Sequence, residues 1–244
     1  MMRLNRTIYI FDVDGTLTES RQKMSPHFAK KFINWSQDKT LVLSTGSDFI
    51  KTCEQLPKNI LNLFDMIFCC MGNELRDNSG NIIYKNKFVP KEGFLEDIQN
   101  IVEKSKFEIK TGNHIEIRTG MVNISTVGRN ADKTERLKYN LWDNRNKERE
   151  KIVNKLIKKY PEYNFSIGGE ISIDVIPVGK DKGQCIDHVI NEYNPTRIEF
   201  YGDKIFPGGN DYGIVRALEN SGLESFAWTN VTGPESLFDD FLNT

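Results

Sequence analysis

The sequence predicts an α/β protein whose parallel-sheet core is interrupted by an inserted α+β unit with an antiparallel sheet. Three observations carry this expectation. Continuous apolar strands separated by amphipathic helices open the chain and return near its end, as in a parallel sheet covered on both faces. Between these two stretches the strands alternate polar and apolar residues, the pattern of a sheet packed on one face only. The clusters of acidic, hydroxyl and glycine residues fall just after core strands, where open α/β sheets bind ligands. The boundaries follow: residues 1–81 and 179–244 form the core, and 82–178 the insertion.

Each element has its own signal. Thr7–Phe11 is a β-branched and aromatic run, the first strand. Ser25 and Pro26 supply an N-cap and a first-turn proline, and Phe28, Phe32 and Trp35 follow at helical spacing. Leu41–Leu43 is the second strand. Ser47 is placed to cap the next helix, with Phe49, Ile50, Cys53 and Leu56 on its apolar face and Pro57 ending it. Met66–Cys70 is the third strand. In the insertion, Ile115–Arg118, Val122–Ser125 and Ile171–Val175 alternate, and Thr119-Gly120 is a hairpin turn between the first two. Their polar members are Glu116, Arg118, Asn123, Ser125, Ser172 and Asp174, a face that is either simply wet or suited to a phosphorylated polyol. Phe94–Val102 and Ile152–Ile157 are helices for the apolar face. The charged run Asp143–Lys159 reads as the solvated side of the second. After Gly179 come a helix with Cys185, Ile186, Val189 and Ile190, a strand Ile198–Tyr201, a helix with Ile214, Val215 and Leu218, and a strand Phe226–Trp228.

Composition excludes several classes. Apolar residues make up 38%, charged residues 27% and aromatics 11% of 244 residues, which is globular and neither disordered nor coiled-coil. Thirty-three basic against 34 acidic residues leave a net charge of −1, without the basic excess of a protein that binds nucleic acid or an anionic membrane. No apolar run approaches the ~20 residues of a membrane helix. Met1–Thr7 shows no signal-peptide stretch, so a cytoplasmic location is expected. Cys53, Cys69, Cys70 and Cys185 lack zinc spacing and read as buried, reduced thiols.

Chemistry concentrates at strand ends. Asp12 and Asp14 stand two positions apart in Asp12–Thr16, directly after the first strand. Two nearby anions are costly unless a cation shares them, and Mg²⁺ is the natural companion. A carboxylate beside Mg²⁺ can attack phosphorus and form an aspartyl-phosphate. The bland alternative is an Asp-Gly turn with two exposed acids. Ser44–Ser47 places hydroxyls, Thr45 among them, where phosphate oxygens bind. Lys182, at the start of the first helix after the insertion, can offset negative charge on a transferring group. Asp203 would complete the metal site, with Asn210 and Asp211 supporting it. Each segment alone is also a plausible cap or turn.

The order of these segments resembles the haloacid dehalogenase superfamily of phosphotransferases. Within it the chain resembles the eukaryotic-type phosphomannomutase family through Phe11–Lys23, Gly46–Leu56, Ile115–Arg129, Phe165–Lys182 and Phe200–Tyr212. The resemblance implies a Rossmann-like core with an inserted cap, Asp12 as nucleophile and Asp14 as general acid/base. It implies Mg²⁺ held by Asp12, the Asp14 backbone carbonyl and Asp203, with Lys182 and Thr45 at the transferring phosphoryl group and Ser47, Asn210 and Asp211 behind them. Arg21, Arg118, Arg129, Arg136, Ser172 and Asp174 match substrate-holding positions. The implied reaction interconverts mannose 6-phosphate and mannose 1-phosphate through an aspartyl-phosphate and a hexose 1,6-bisphosphate, which also serves as activator. Its product would feed GDP-mannose synthesis, and a homodimer through the cap is implied. The chain departs from the family at Lys180, usually Trp, at Thr45, usually Gly in the animal enzymes, and at Arg216–Asn220, where the family has a segment for a second, structural cation. A sugar-phosphate phosphatase shares the whole core, and a catalytically silent sugar-phosphate-binding module is the rival of another class.

Overall fold

The computed structural model describes residues 6–241, so the expectation about Met1–Asn5 falls outside it. Strand β1 (Thr7–Phe11) is apolar on both faces: Ile8 and Ile10 point into one core, Tyr9 and Phe11 into another. Helix α1 (Pro26–Trp35) starts where Ser25 Oγ accepts from Phe28 N, and it buries Phe28 and Phe32. Strand β2 (Thr40–Ser44) and helix α2 (Phe49–Gln55) follow. The cap of α2 is Asp48, not Ser47, its carboxylate accepting from Lys51 N at 2.9 Å. Ile50 and Cys53 are exposed, against expectation, while Thr52 and Gln55 turn inward. Phe49 and Leu56 do pack on the core as expected, but Thr52 and Gln55 share that inner face through hydrogen bonds in place of Ile50 and Cys53. A short helix α3 (Lys58–Leu61) leads to β3 (Phe64–Cys69).

The next two strands depart from the expected all-parallel sheet. β4 (Glu74–Asp77) and β5 (Ile82–Lys85) are added antiparallel at its edge, so residues 82–85 belong to the core sheet and not to the insertion. A tight turn held by Asp77 Oδ1, which accepts from Ser79 N and Asn81 N, makes this reversal local.

The inserted unit holds α4 (Phe94–Glu103), β6 (Ile115–Arg118), β7 (Met121–Ser125), α5 (Lys133–Asn146), α6 (Glu148–Lys159), β8 (Tyr163–Gly168) and β9 (Ser172–Pro177). Its sheet runs β6-β7-β9-β8, antiparallel throughout. Gly120, at φ +65°, sits in the two-residue turn between β6 and β7. Val122, Ile124, Ile173 and Val175 pack on Phe94, Ile98, Ile152 and Leu156. Ile117 is 52% exposed because β6 is an edge strand. Helix α5 carried no apolar stripe in the sequence; an Asp132–Glu135 capping box starts it, and Tyr139 and Asp143 are its buried residues. Asp143 is therefore not part of a solvated face, and neither is Arg149. Both are buried, with Nε and Oδ2 2.7 Å apart, and Arg149 also donates to Gly169 O.

The core resumes with α7 (Gln184–Tyr193), β10 (Arg197–Gly202), α8 (Tyr212–Glu219), β11 (Phe226–Asn230) and α9 (Pro234–Phe241). Lys182 lies just before α7, not within it. The seven-stranded sheet has the order β11-β10-β1-β2-β3-β4-β5. One face is covered by α1, α3 and Leu237 of α9, the other by α7 and α8. The described residues form two compact units, those up to Lys85 together with those from Gly179, and Asn86–Val178. Among the described residues no helix is long and apolar enough to cross a membrane.

The Asp143–Arg149 pair makes a stability test. Asp143→Ala leaves a buried guanidinium without its counter-charge and is expected to cost about 3 kcal/mol or more. A double replacement, Asp143→Leu with Arg149→Met, should recover much of that loss in urea unfolding.

Candidate active site

Strand order places a crevice. From β1 the chain proceeds to β2 and β3 on one side, and from β10 to β11 on the other, so the switch point lies between β1 and β10. Asp12 follows β1 and Asp203 follows β10. Together with Asp211 they form a group whose carboxylate oxygens lie within 4.8 Å of one another. Between two of them sits Lys182, 0% exposed, with Nζ 2.5 Å from Asp12 Oδ1 and 2.6 Å from Asp211 Oδ1. Asp211 Oδ2 accepts from Lys204 N at 3.1 Å, and Lys204 Nζ lies 3.2 Å from Asp203 Oδ2. Asp211 is thus a member of the acidic group itself, where the sequence placed it behind. Gly15 makes the approach of β10 possible. It has φ +83°, and a Cβ there would stand 2.5 Å from Asp203 Oδ2.

Burial pushes the Asp12 carboxyl above its ordinary value, against the pull of Lys182. Burial alone would lower Lys182, but attraction to Asp12 and Asp211 outweighs it and holds the ammonium charged. Burial also raises Asp203, opposed by Lys204. Three carboxylates facing the buried Lys182 and the more exposed Lys204 leave one negative charge over. The donors are all oxygen, and Asp203 Oδ1 and Asn210 Oδ1 are buried without a hydrogen-bond partner. That set fits a hard divalent cation such as Mg²⁺.

Asp14 points elsewhere. Its Oδ1 accepts from Arg21 N at 2.7 Å and from Gln55 Nε2 at 2.9 Å. Arg21 is exposed, and it is its backbone, at φ 60°, that meets Asp14. Thr45 follows β2, buried, with Oγ1 accepting from Ser47 N at 3.1 Å.

In the inserted unit the polar sheet face is a bonded array. Glu116 Oε2 accepts from Arg118 at 2.5 Å and from Arg129 at 3.0 Å, and Arg129 Nη1 donates to Ser172 Oγ at 2.8 Å. Asn123 Nδ2 donates to Asp174 Oδ1. Burial raises the Asp174 carboxyl, while that hydrogen bond, Arg118 and Arg129 oppose the rise. Arg136 is set apart: its Nε and Nη2 donate to the Ala131 and Arg129 carbonyls, bracing the turn that presents Arg129. Glu116 and Asn123 were legible as polar partners but not as members of a site. Gln55 was missed, because periodicity put Ile50 and Cys53 on the face it occupies.

Residues 28–227 match the family described as eukaryotic phosphomannomutase. The chain belongs to that family. The phosphomannomutase of Encephalitozoon cuniculi is 37% identical over 231 residues, spanning 91% of this chain and 90% of that protein. That of Schizosaccharomyces pombe is 38% identical over 221 residues, 86% of this chain and 85% of its own. A haloacid dehalogenase-like hydrolase from Bacteroides thetaiotaomicron shares the fold, with TM-score 0.58 at 15% identity, over 97% of this chain and 100% of that one. The α/β class expected from the sequence is the observed one. Asp12 and Asp14 precede the matched span, whereas Lys182, Asp203, Asp211 and the arginines of the inserted unit lie within it.

If the acidic group takes the cation, Mg²⁺ should raise the thermal midpoint. At 100 times the dissociation constant the stabilisation is about 2.7 kcal/mol. Asp203→Asn should abolish most of that rise in a Mg²⁺ titration followed by calorimetry.

Proposed function

We propose that the chain is a phosphomannomutase interconverting mannose 6-phosphate and mannose 1-phosphate, with Asp12 as the phosphoryl carrier. The observation that carries this reading is the Lys182-bridged acidic group at the switch point of a chain in this family. Asp12 is held with one oxygen on an ammonium, and its other oxygen is the nucleophile that bonds to phosphorus while the bond from phosphorus to the sugar oxygen breaks. Asp14 gives its proton to that departing oxygen and takes one from the hydroxyl that next accepts the group. Thr45 donates its hydroxyl to a phosphate oxygen. Mg²⁺, held by Asp12, Asp203 and the Asp14 carbonyl, would supply charge neutralisation at the transferring group.

A hexose bisphosphate carries phosphate at two ends and so needs a second anion site. The arginines of the inserted unit fit that need. Arg118 spends Nη2 on Glu116, and Arg129 spends Nε and Nη1 on Glu116 and Ser172, leaving N–H donors on both for phosphate oxygens. Ser172, Asp174 and Asn123 then suit sugar hydroxyls. A phosphatase would share the core residues, and Thr45 favours that second reading; it has no use for a second arginine site.

In ³¹P NMR with Mg²⁺, mannose 1-phosphate should convert to mannose 6-phosphate only when catalytic hexose 1,6-bisphosphate is present. Asp12→Asn should lower the rate by about a thousandfold or more. Inorganic phosphate released without isomerisation would make the chain a phosphatase.

A further inference from the structure

One buried amide outside the residues assigned so far has a place in the reaction. Gln55 ends α2 and is 7% exposed. Its Nε2 donates to Asp14 Oδ1 at 2.9 Å and to Thr18 Oγ1 at 3.2 Å. Thr18 Oγ1 in turn donates to Val13 O at 3.3 Å, so towards Gln55 the hydroxyl can only accept. Two acceptors therefore face one end of the amide, which must be its nitrogen. The main chain at Gln55 is fixed as well, its carbonyl accepting from Met24 N at 2.8 Å.

Asp14 Oδ1 receives a second donor, Arg21 N at 2.7 Å, from a residue in the left-handed region at φ 60°. Both donors land on the same oxygen. Neither touches Oδ2. An aspartate side chain rotates about two bonds, and an acid/base must present one oxygen at one place. Hydrogen bonds to Oδ1 remove that rotation and leave Oδ2 for proton exchange.

We propose that Gln55 is a positioning residue for proton transfer by Asp14, holding Oδ1 so that Oδ2 meets the sugar oxygen. This rests on the reading of Asp14 as the acid/base of the proposed reaction. As the bond from phosphorus to the sugar oxygen breaks, the proton on Asp14 Oδ2 passes to that oxygen. In the second half the incoming hydroxyl returns a proton to Oδ2 as its oxygen bonds to phosphorus. Gln55 gains and loses no proton in either half. It acts only through Asp14, which separates it from a residue that merely keeps the core folded.

A double-mutant cycle tests this. Gln55→Met keeps the length and removes the donor. It should lower kcat for bisphosphate-dependent interconversion by about 10- to 100-fold, with KM within about twofold. Gln55→Glu keeps the shape but sets an acceptor against the Asp14 carboxylate, and should fall at least as far. In a chain carrying Asp14→Asn, adding Gln55→Met should change the rate of ³²P transfer from labelled hexose 1,6-bisphosphate to Asp12 by less than about twofold. Thermal midpoints measured alongside identify any variant that fails to fold, and the other then decides. The proposal is overturned if the folded Gln55 variants keep native kcat, or if Gln55→Met slows the Asp14→Asn chain as much as it slows the native one. A native chain that does not interconvert the sugar phosphates overturns the proposed function along with it.

Discussion

The core is organised around an ammonium group that water cannot reach. Lys182 is fully buried, and a buried cation is tolerated only where anions meet it closely. Asp12 and Asp211 do so at 2.5 and 2.6 Å. Asp12 directly follows the first strand and lies 170 positions away from Lys182 in sequence. Asp211 precedes α8, and its other oxygen ties down the loop through Lys204 N. The charge pair therefore pins β1, the entry to α7 and the β10–α8 loop to one another. Asp203 adds a third carboxylate, met by the more exposed Lys204 alone, so three acids face two ammonium groups and the negative charge left over is the electrostatic reason for this crevice to attract a cation.

Much of this was readable because strand ends are short-range events. Asp12, Thr45 and Asp203 each directly follow a core strand, and a parallel sheet brings the carboxyl ends of such strands to one edge. Other features depended on partners that no local pattern reveals. Gln55 turns inward beside Phe49 and Leu56 to make hydrogen bonds to Asp14 and Thr18, which counting apolar spacing could not reveal when it favoured Ile50 and Cys53. Strand β5 was absorbed into the insertion because its exposed isoleucines, Ile82 and Ile83, carry no sign of the sheet they edge. Asp143 and Arg149 looked like surface charge, since a buried ion pair and a solvated one have the same composition.

The inserted sheet shows the opposite balance. Its alternation identified the polar face correctly, but composition could not say that Glu116, Arg118, Arg129, Ser172, Asn123 and Asp174 bond to one another across it while Asn123 Oδ1 and Ser125 Oγ stay without a partner. Asn123, Ser125 and Ser172 are buried rather than wet. A face of this kind is already ordered before anything meets it, so little rotamer freedom is lost on binding.

Glu116 gives that face a further property. One carboxylate stands between two guanidiniums, so part of their charge is already answered. On the proposed reaction, an arriving phosphate shares the arginines with a resident anion, and on departure the carboxylate takes them back. The hold on the ligand is thereby shallow as well as ordered. An intermediate that must let go, turn end for end and return with its other phosphate is served by such a berth, since a pair of unanswered arginines would hold it more tightly and release it more slowly.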